Sequence, residues 1–160
     1  MTDENKTSLA NKQRFKLIAA VYLILRKDDE ILLLRRANTG YQDGKYSLIA
    51  GHMDGDELAS KAIIREAQEE AGIVIKKEQL KFVRLAHRLT RNDPGQERID
   101  IFSEAENWGG VPAIMEKNKC DDLSWHSLAS LPSNIVPLVG LVLDDVAHGI
   151  AYSEYETEPA

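Results

Sequence analysis

Between Gly51 and Ile73, apolar and acidic residues follow one helical spacing, and this stretch constrains the chain more than any other. Leu58, Ala59, Ala62 and Ile63 recur as a buried helical stripe does. At about 100° per residue they fall within an arc of roughly 140°, and Glu66, Glu69 and Glu70 fall inside that same arc. A plain amphipathic helix would stay apolar there and carry its acids on the far side, with Lys61 and Gln68. The pattern predicts a helix over Glu57–Ala71, capped by Asp54 or Asp56, acidic at its start, and closed by Gly72. Three carboxylates at this spacing repel one another, and partial burial would raise their pKa values unless a cation joined them. All-oxygen ligation suits a hard ion such as Mg²⁺ or Mn²⁺. The competing reading is a Glu-rich solvated surface helix.

The remainder of the chain reads as the frame for that helix. Residues 16–26 are rich in Val, Ile, Leu and Tyr and predict a buried strand, with residues 31–36 as its hairpin partner. A turn-rich segment leads to a short strand over 46–51. Residues 80–90 and 98–106 alternate and are separated by a turn containing Pro94 and Gly95, which predicts a second hairpin. A loop follows, then a short strand near 122–128. Apolar residues at helical spacing from Ile135 to Val146 predict a second helix, with Pro137 in its first turn. The sum is an α/β chain with a mixed, largely antiparallel sheet. Residues 1–13 are expected to be a flexible N-terminal tail, 14–150 the folded domain and 151–160 an acidic C-terminal tail.

At 160 residues, one domain is expected. A formal charge of −6 and a pI near 5.3 disfavour a nucleic acid polymer as partner, and an anionic ligand would need a bound cation. Cys120 is the single cysteine, so no intrachain disulfide can form. No segment approaches the ~20 apolar residues of a membrane span. A cytoplasmic protein without membrane contact is the expectation.

Gly51, Glu57, Arg65-Glu66, Glu69-Glu70, Gly72 and the apolar Ile73 stand at the spacing of the complete Nudix box. The chain therefore resembles the Nudix hydrolases. The resemblance implies an α/β/α sandwich over about residues 15–150 and metal-dependent hydrolysis of nucleoside diphosphates linked to another moiety. It implies Glu66, Glu69 and Glu70 as metal ligands, one of them activating water, together with the carbonyl of Ala50. It also implies that Glu57 pairs with Arg65 to orient the acids. Three positions depart from the usual box: Ile49-Ala50 replaces Pro-Gly, Asp56 replaces a glycine, and Ala67 is small.

Outside the box, Glu116 is the candidate for a further metal-binding acid, with Asp121 and Asp122 as rivals; each is equally readable as an exposed loop charge. Candidate substrate contacts are Arg36 and Lys45 for phosphate, Tyr41 in the loop before the box, His87 for a base, and Trp125 for stacking, with Trp108 as its alternative. Surface charge, core packing and a structural histidine are the plain alternatives for these residues. The expected reaction is Mg²⁺-dependent cleavage of a nucleoside triphosphate or related small nucleotide, with Mn²⁺ as substitute cofactor. The alternatives are a nucleotide-sugar or other diphosphate hydrolase and a non-catalytic nucleotide sensor. An exposed sheet edge or the C-terminal helix offers a homodimer surface.

Overall fold

The computed structural model describes residues 14–157. Its strands are β1 (Ile18–Lys27), β2 (Glu30–Arg36), β3 (Tyr46–Ser47), β4 (Ile49–His52), β5 (Lys81–Thr90), β6 (Arg98–Ala105), β7 (Cys120–Ser127) and β8 (Tyr152–Thr157). Helix α1 (Ala59–Ala71) follows β4, and α2 (Pro137–Ala147) follows β7. Hydrogen-bonded neighbours run β3-β2-β1-β6-β5-β8, with β4 beside β1 and β7 beside β2. The β1/β6 and β5/β8 pairs are parallel and the other five antiparallel. The sheet is thus mixed and largely antiparallel, as the sequence pattern predicts.

Side chains alternate across β1, and this creates two cores. Val21, Leu23 and Leu25 pack with Ala62, Ile63, Ala67 and Ala71 of α1. Ile24 faces the other way and packs with Leu33, Phe102 and the α2 residues Val139, Val142 and Leu143. One helix covers each face, giving an α/β/α sandwich. Pro137 occupies the start of α2, where its missing N–H breaks no helical bond.

The hairpin between β1 and β2 pairs only at its tip, Arg26 with Ile31 and Lys27 with Glu30. Further back, β4 takes the edge of β1 from Ala20 to Leu23. This splay sets Ala50, Gly51 and His52 directly against α1. Gly72 adopts φ +67° and its N–H bonds the Gln68 carbonyl, so the helix ends where the sequence indicates.

Two expectations about the ends of elements are corrected. The first helix begins at Ala59 rather than Glu57, and its cap residue Leu58 makes no side-chain capping bond. Asp54 and Asp56 therefore do not cap it, and no acid occupies its first turn. The cause is a side-chain pair: the Glu57 carboxylate accepts from the Asp54 N–H at 2.7 Å across the turn at Gly55-Asp56 and reaches Arg65, so the chain stays out of the helix until Leu58. Leu58, expected in the buried stripe, is consequently exposed.

The second correction concerns the acidic tail. Residues 152–157 pair in parallel with β5, from Leu85 beside Tyr152 to Thr90 beside Thr157. A buried guanidinium anchors this strand: Arg84 is 0% exposed, donates to Tyr155 Oη at 2.6 Å and to the Ile150 carbonyl at 2.9 Å, and pairs with Asp145 of α2. Among the described residues, no helix is long and apolar enough to cross a membrane.

Candidate active site

Helix α1 carries its acids in two different environments. The Glu66 side chain is 12% exposed and Glu69 is 53% exposed, so the inward acidic stripe does not bury all three equally. Glu70 lies against β4, where the Ala50 N–H donates to its Oε2 at 3.0 Å. Burial pushes the Glu70 carboxyl up to about 8 against that hydrogen bond, and the charges of Glu66 and Glu116 add to the rise. Glu66 is raised as well, first by burial and opposed by Arg65, with Glu69 and Glu116 contributing repulsion. These carboxylates are close enough to feel one another and are short of positive charge.

Arg65 supplies the positive charge bonded to Glu66. Its Nη2 lies 2.7 Å from Glu57 Oε1 and its Nε 3.3 Å from Glu57 Oε2. Its Nη1 lies 2.6 Å from Glu66 Oε1 and 3.3 Å from Glu69 Oε2. The same guanidinium donates to the His52 carbonyl at 3.2 Å and stands 3.6 Å from Asp54. Glu57 is held below the usual carboxylate range, first by its bond to Arg65 and then by the Asp54 amide. The box loop, β4 and α1 are thus fastened at one side chain.

Gly51 has a local steric reason. A Cβ built there would overlap the Glu66 carboxylate, so only glycine leaves that carboxylate where it stands against β4. Its φ is not in the left-handed region; the constraint is space alone.

Of the three loop acids, the structure brings Glu116 to the cluster. Its charge raises both Glu66 and Glu70, and the loop is tied to the end of α1 by the Met115 N–H donating to the Glu70 carbonyl at 3.2 Å. Glu116 itself accepts from Lys119 Nζ at 2.9 Å. Asp121 instead pairs with Arg35 at 2.7 Å, and Asp122 accepts from Tyr46 Oη at 2.6 Å and from Ser124.

The other candidates divide similarly. Arg36 lies within electrostatic reach of Glu70, donates to the Tyr41 carbonyl at 2.8 Å and to Thr39 Oγ1 at 3.0 Å, and covers the Tyr41 ring at 5.6 Å. Tyr41 is exposed. Lys45 is half-buried before β3, where its carbonyl accepts from the Arg36 N–H. His87 is engaged with Glu97 at 2.8 Å. Trp125 stacks on Trp108 with centroids 5.6 Å apart, both against the α1-side core.

Sequence reasoning missed Lys119, the counter-charge of Glu116, although its spacing of three residues on a tight turn was a visible cue. It missed the His52 carbonyl and the Asp54 amide too, because backbone groups leave no residue-type signal. Among the described residues, no three His, Cys, Asp or Glu side chains converge at the spacing of one metal ion. Arg65 accounts for much of that, since it draws Glu66 and Glu69 toward itself.

Residues 15–144 match the NUDIX domain. The 8-oxo-dGTP diphosphatase of Escherichia coli (strain K12) is 30% identical over 122 residues, 76% of this chain and 88% of that protein. The NAD-capped RNA hydrolase NudC of Pseudomonas aeruginosa (strain LESB58) is 25% identical over 117 residues, 73% of this chain, and the chain spans only 38% of that relative's length. The MutT NUDIX hydrolase of Burkholderia pseudomallei superposes with a TM-score of 0.73 at 22% identity, over 81% of this chain and 97% of that one, and so shares the fold. With the domain matched over most of its length and the box acids meeting β4 at one end of this sandwich, the chain belongs to the Nudix hydrolase family.

Proposed function

We propose that this chain hydrolyses a phosphoanhydride bond in a nucleoside triphosphate or a related nucleoside diphosphate compound, releasing a nucleoside monophosphate and pyrophosphate or a phosphate-linked remainder. The observation that carries the reading is the pair Glu66 and Glu70, half-buried beside Glu116, both raised in pKa and both fixed by donors from the box itself. Such an arrangement serves no purpose in the apolar core, and raised carboxyls in a cleft mark functional sites more often than structural ones.

The donor set fits a hard divalent cation. It is made of carboxylates and a nearby backbone carbonyl, and a Glu70 carboxyl titrating near 8 is one that added positive charge would return to its ionised form. Glu66, Glu69, Glu70 and Glu116 would hold the ion, with the Ala50 carbonyl as the backbone ligand. When bound, Mg²⁺ would neutralise diphosphate charge and polarise the phosphoryl oxygens, with Mn²⁺ able to take its place.

The chain's own groups have distinct tasks around that chemistry. Arg65 and Glu57 hold Glu66 in place, so that its carboxylate does not search rotamers. The Ala50 amide fixes one oxygen of Glu70 and leaves the other to accept the proton of an attacking water. Arg36, tied down by Tyr41 and Thr39 and within electrostatic reach of Glu70, would take a phosphate oxygen. Lys119, held by Glu116 at 2.9 Å, would offer its charge to the leaving group.

The two compared relatives act, by their names, on 8-oxo-dGTP and on NAD-capped RNA, which supports a nucleotide diphosphate as the reacting part. The test is a turnover screen with Mg²⁺ and with Mn²⁺ over canonical and oxidised nucleoside triphosphates, nucleotide sugars and dinucleotides. Phosphate or pyrophosphate products from at least one class support the reading. No product from any of them rejects it.

A further inference from the structure

The chain has two Asp-Gly dipeptides, Asp43-Gly44 before β3 and Asp54-Gly55 inside the box, and no Asn-Gly. An aspartate followed by glycine can close a five-membered ring with the next backbone nitrogen, because glycine has no Cβ to hinder the approach. Both aspartates are exposed, so access to water does not separate them. Their tethers do.

Asp43 is held in place. Its Oδ1 accepts from the Thr39 N–H at 3.0 Å, its Oδ2 accepts from the Gly40 N–H at 2.9 Å, and Thr39 Oγ1 stands 2.5 Å from Oδ1. The Thr39 hydroxyl first, and then the Gly40 amide, hold its carboxyl below the usual carboxylate range. The Gly44 N–H, whose nitrogen would have to attack, donates to the Arg36 carbonyl at 2.7 Å. Ring closure there requires a protonated carboxyl and the rupture of these bonds.

Asp54 has no such restraint. Its carboxylate is 74% exposed, and its neighbouring cation, Arg65, stands 3.6 Å away, outside hydrogen-bond range. Among the described residues the Gly55 N–H donates to no group, and a Cβ built at Gly55 would meet nothing within 4 Å. The side chain and the next nitrogen are both free to meet.

We propose that Asp54-Gly55 is a site of spontaneous aspartyl isomerisation, that Asp43-Gly44 is protected by its hydrogen bonds, and that isomerised Asp54 releases Glu57 from its place in the box. The Gly55 nitrogen attacks Asp54 Cγ; the N–Cγ bond forms, and the amide proton leaves with the carboxyl hydroxyl as water, giving a succinimide. Water then adds back to the ring. Addition at Cγ restores aspartate, whereas addition at the α-carbonyl leaves the main chain running through Cβ and Cγ, with the former α-carboxyl free. No atom is oxidised or reduced, and the mass is unchanged. The main chain between Asp54 and Glu57 is then one methylene longer. The Asp54 N–H bond to Glu57 Oε1, 2.7 Å, closes over that segment, and the same oxygen takes Arg65 Nη2 at 2.7 Å. Loss of this orienting bond passes through Arg65 to Glu66.

The experiment incubates the whole chain near neutral pH for weeks, folded and in urea, and maps isoaspartate by peptide digestion and enzymatic methyl transfer to the isoaspartyl carboxyl. In the folded protein, isoaspartate is expected to form at Asp54 at least about tenfold faster than at Asp43, the factor that the free energy of one hydrogen bond supplies. In urea, where the tethers of Asp43 are gone, the two sites are expected to age alike. Equal rates in the folded protein overturn the proposal. So does the same preference persisting in urea, which would make it a property of the dipeptides rather than of the fold. Release of Glu57 is read without any substrate, from the Arg65 Nε–H resonance. It is expected to shift in aged wild type and to stay in place in Asp54→Glu, which would need a six-membered ring to react. An unmoved resonance in protein isomerised at Asp54 overturns the release.

Discussion

Glu57 grips Arg65 through both carboxylate oxygens, at 2.7 and 3.3 Å, across eight residues that include the first turn of α1. The same guanidinium then reaches Glu66 at 2.6 Å, so the position of a box acid depends on a residue outside the helix. Glu57→Gln keeps the shape and removes the charge. It is expected to lower kcat by about 10–100-fold, the usual effect of losing an orienting partner, with a smaller change in KM. Arg65→Lys, which cannot bond Glu57 bidentately, is expected to lose at least as much. Steady-state kinetics on the two variants checks both.

Gly51 separates fold from function. Alanine there would collide with the end of the Glu66 side chain, which can swing away, so the cost falls on the acid's position rather than on the backbone. Gly51→Ala is expected to melt within about 3 °C of wild type, equivalent to about 1 kcal/mol for a chain of this size, while turnover falls at least about tenfold. A variant that stays fully active would show that the Glu66 position is not what limits the reaction.

The raised carboxyl of Glu70 makes stability depend on pH in a defined direction. Its folded pKa of about 8 lies above the ordinary value near 4.5, so the folded state binds the extra proton between them. The stabilisation is complete below about 4.5 and is lost as pH rises through 8. In metal-free protein, wild type is therefore expected to lose stability relative to Glu70→Gln between pH 5 and 8. Added Mg²⁺ is expected to raise the melting temperature of wild type at pH 8 and to have a much smaller effect on the variant. Denaturation series across that pH range measure the difference.

The box acids were legible because helical spacing is a property of the sequence, and the fixed intervals from Gly51 to Ile73 identify the pattern completely. What eluded reading was set by contacts between distant segments. The start of α1 was misjudged because Glu57 answers to Arg65 rather than to the helix end. Glu69 is 53% exposed, 3.3 Å from Arg65, although the helical wheel groups it with Glu66 and Glu70. Asp121 and Asp122 could be separated from Glu116 only once Arg35 and Tyr46 were in place.

Strand β8 was read as a tail because Glu154 and Glu156 dominate its composition, while the residues that seat it, Ser153, Tyr155 and Thr157, are polar. Tyr155 Oη accepts from Arg84 and donates to Asp145, which ties β8 and β5 to α2. Tyr155→Phe is expected to cost about 1–2 kcal/mol, since a buried guanidinium loses one partner. Chemical denaturation gives that value directly, and an unchanged midpoint would mean that β8 contributes nothing to the fold's stability.

The reading of the acidic face stands or falls on one comparison: turnover of the best nucleotide substrate with Mg²⁺ by wild type, Glu66→Gln, Glu69→Gln and Glu70→Gln, each verified as folded by circular dichroism. Each substitution is expected to lower kcat by about 10²–10⁴-fold while the melting curve remains cooperative. Near wild-type turnover in all three would mean that these carboxylates are a solvated helix face and that the chemistry, if any, lies elsewhere.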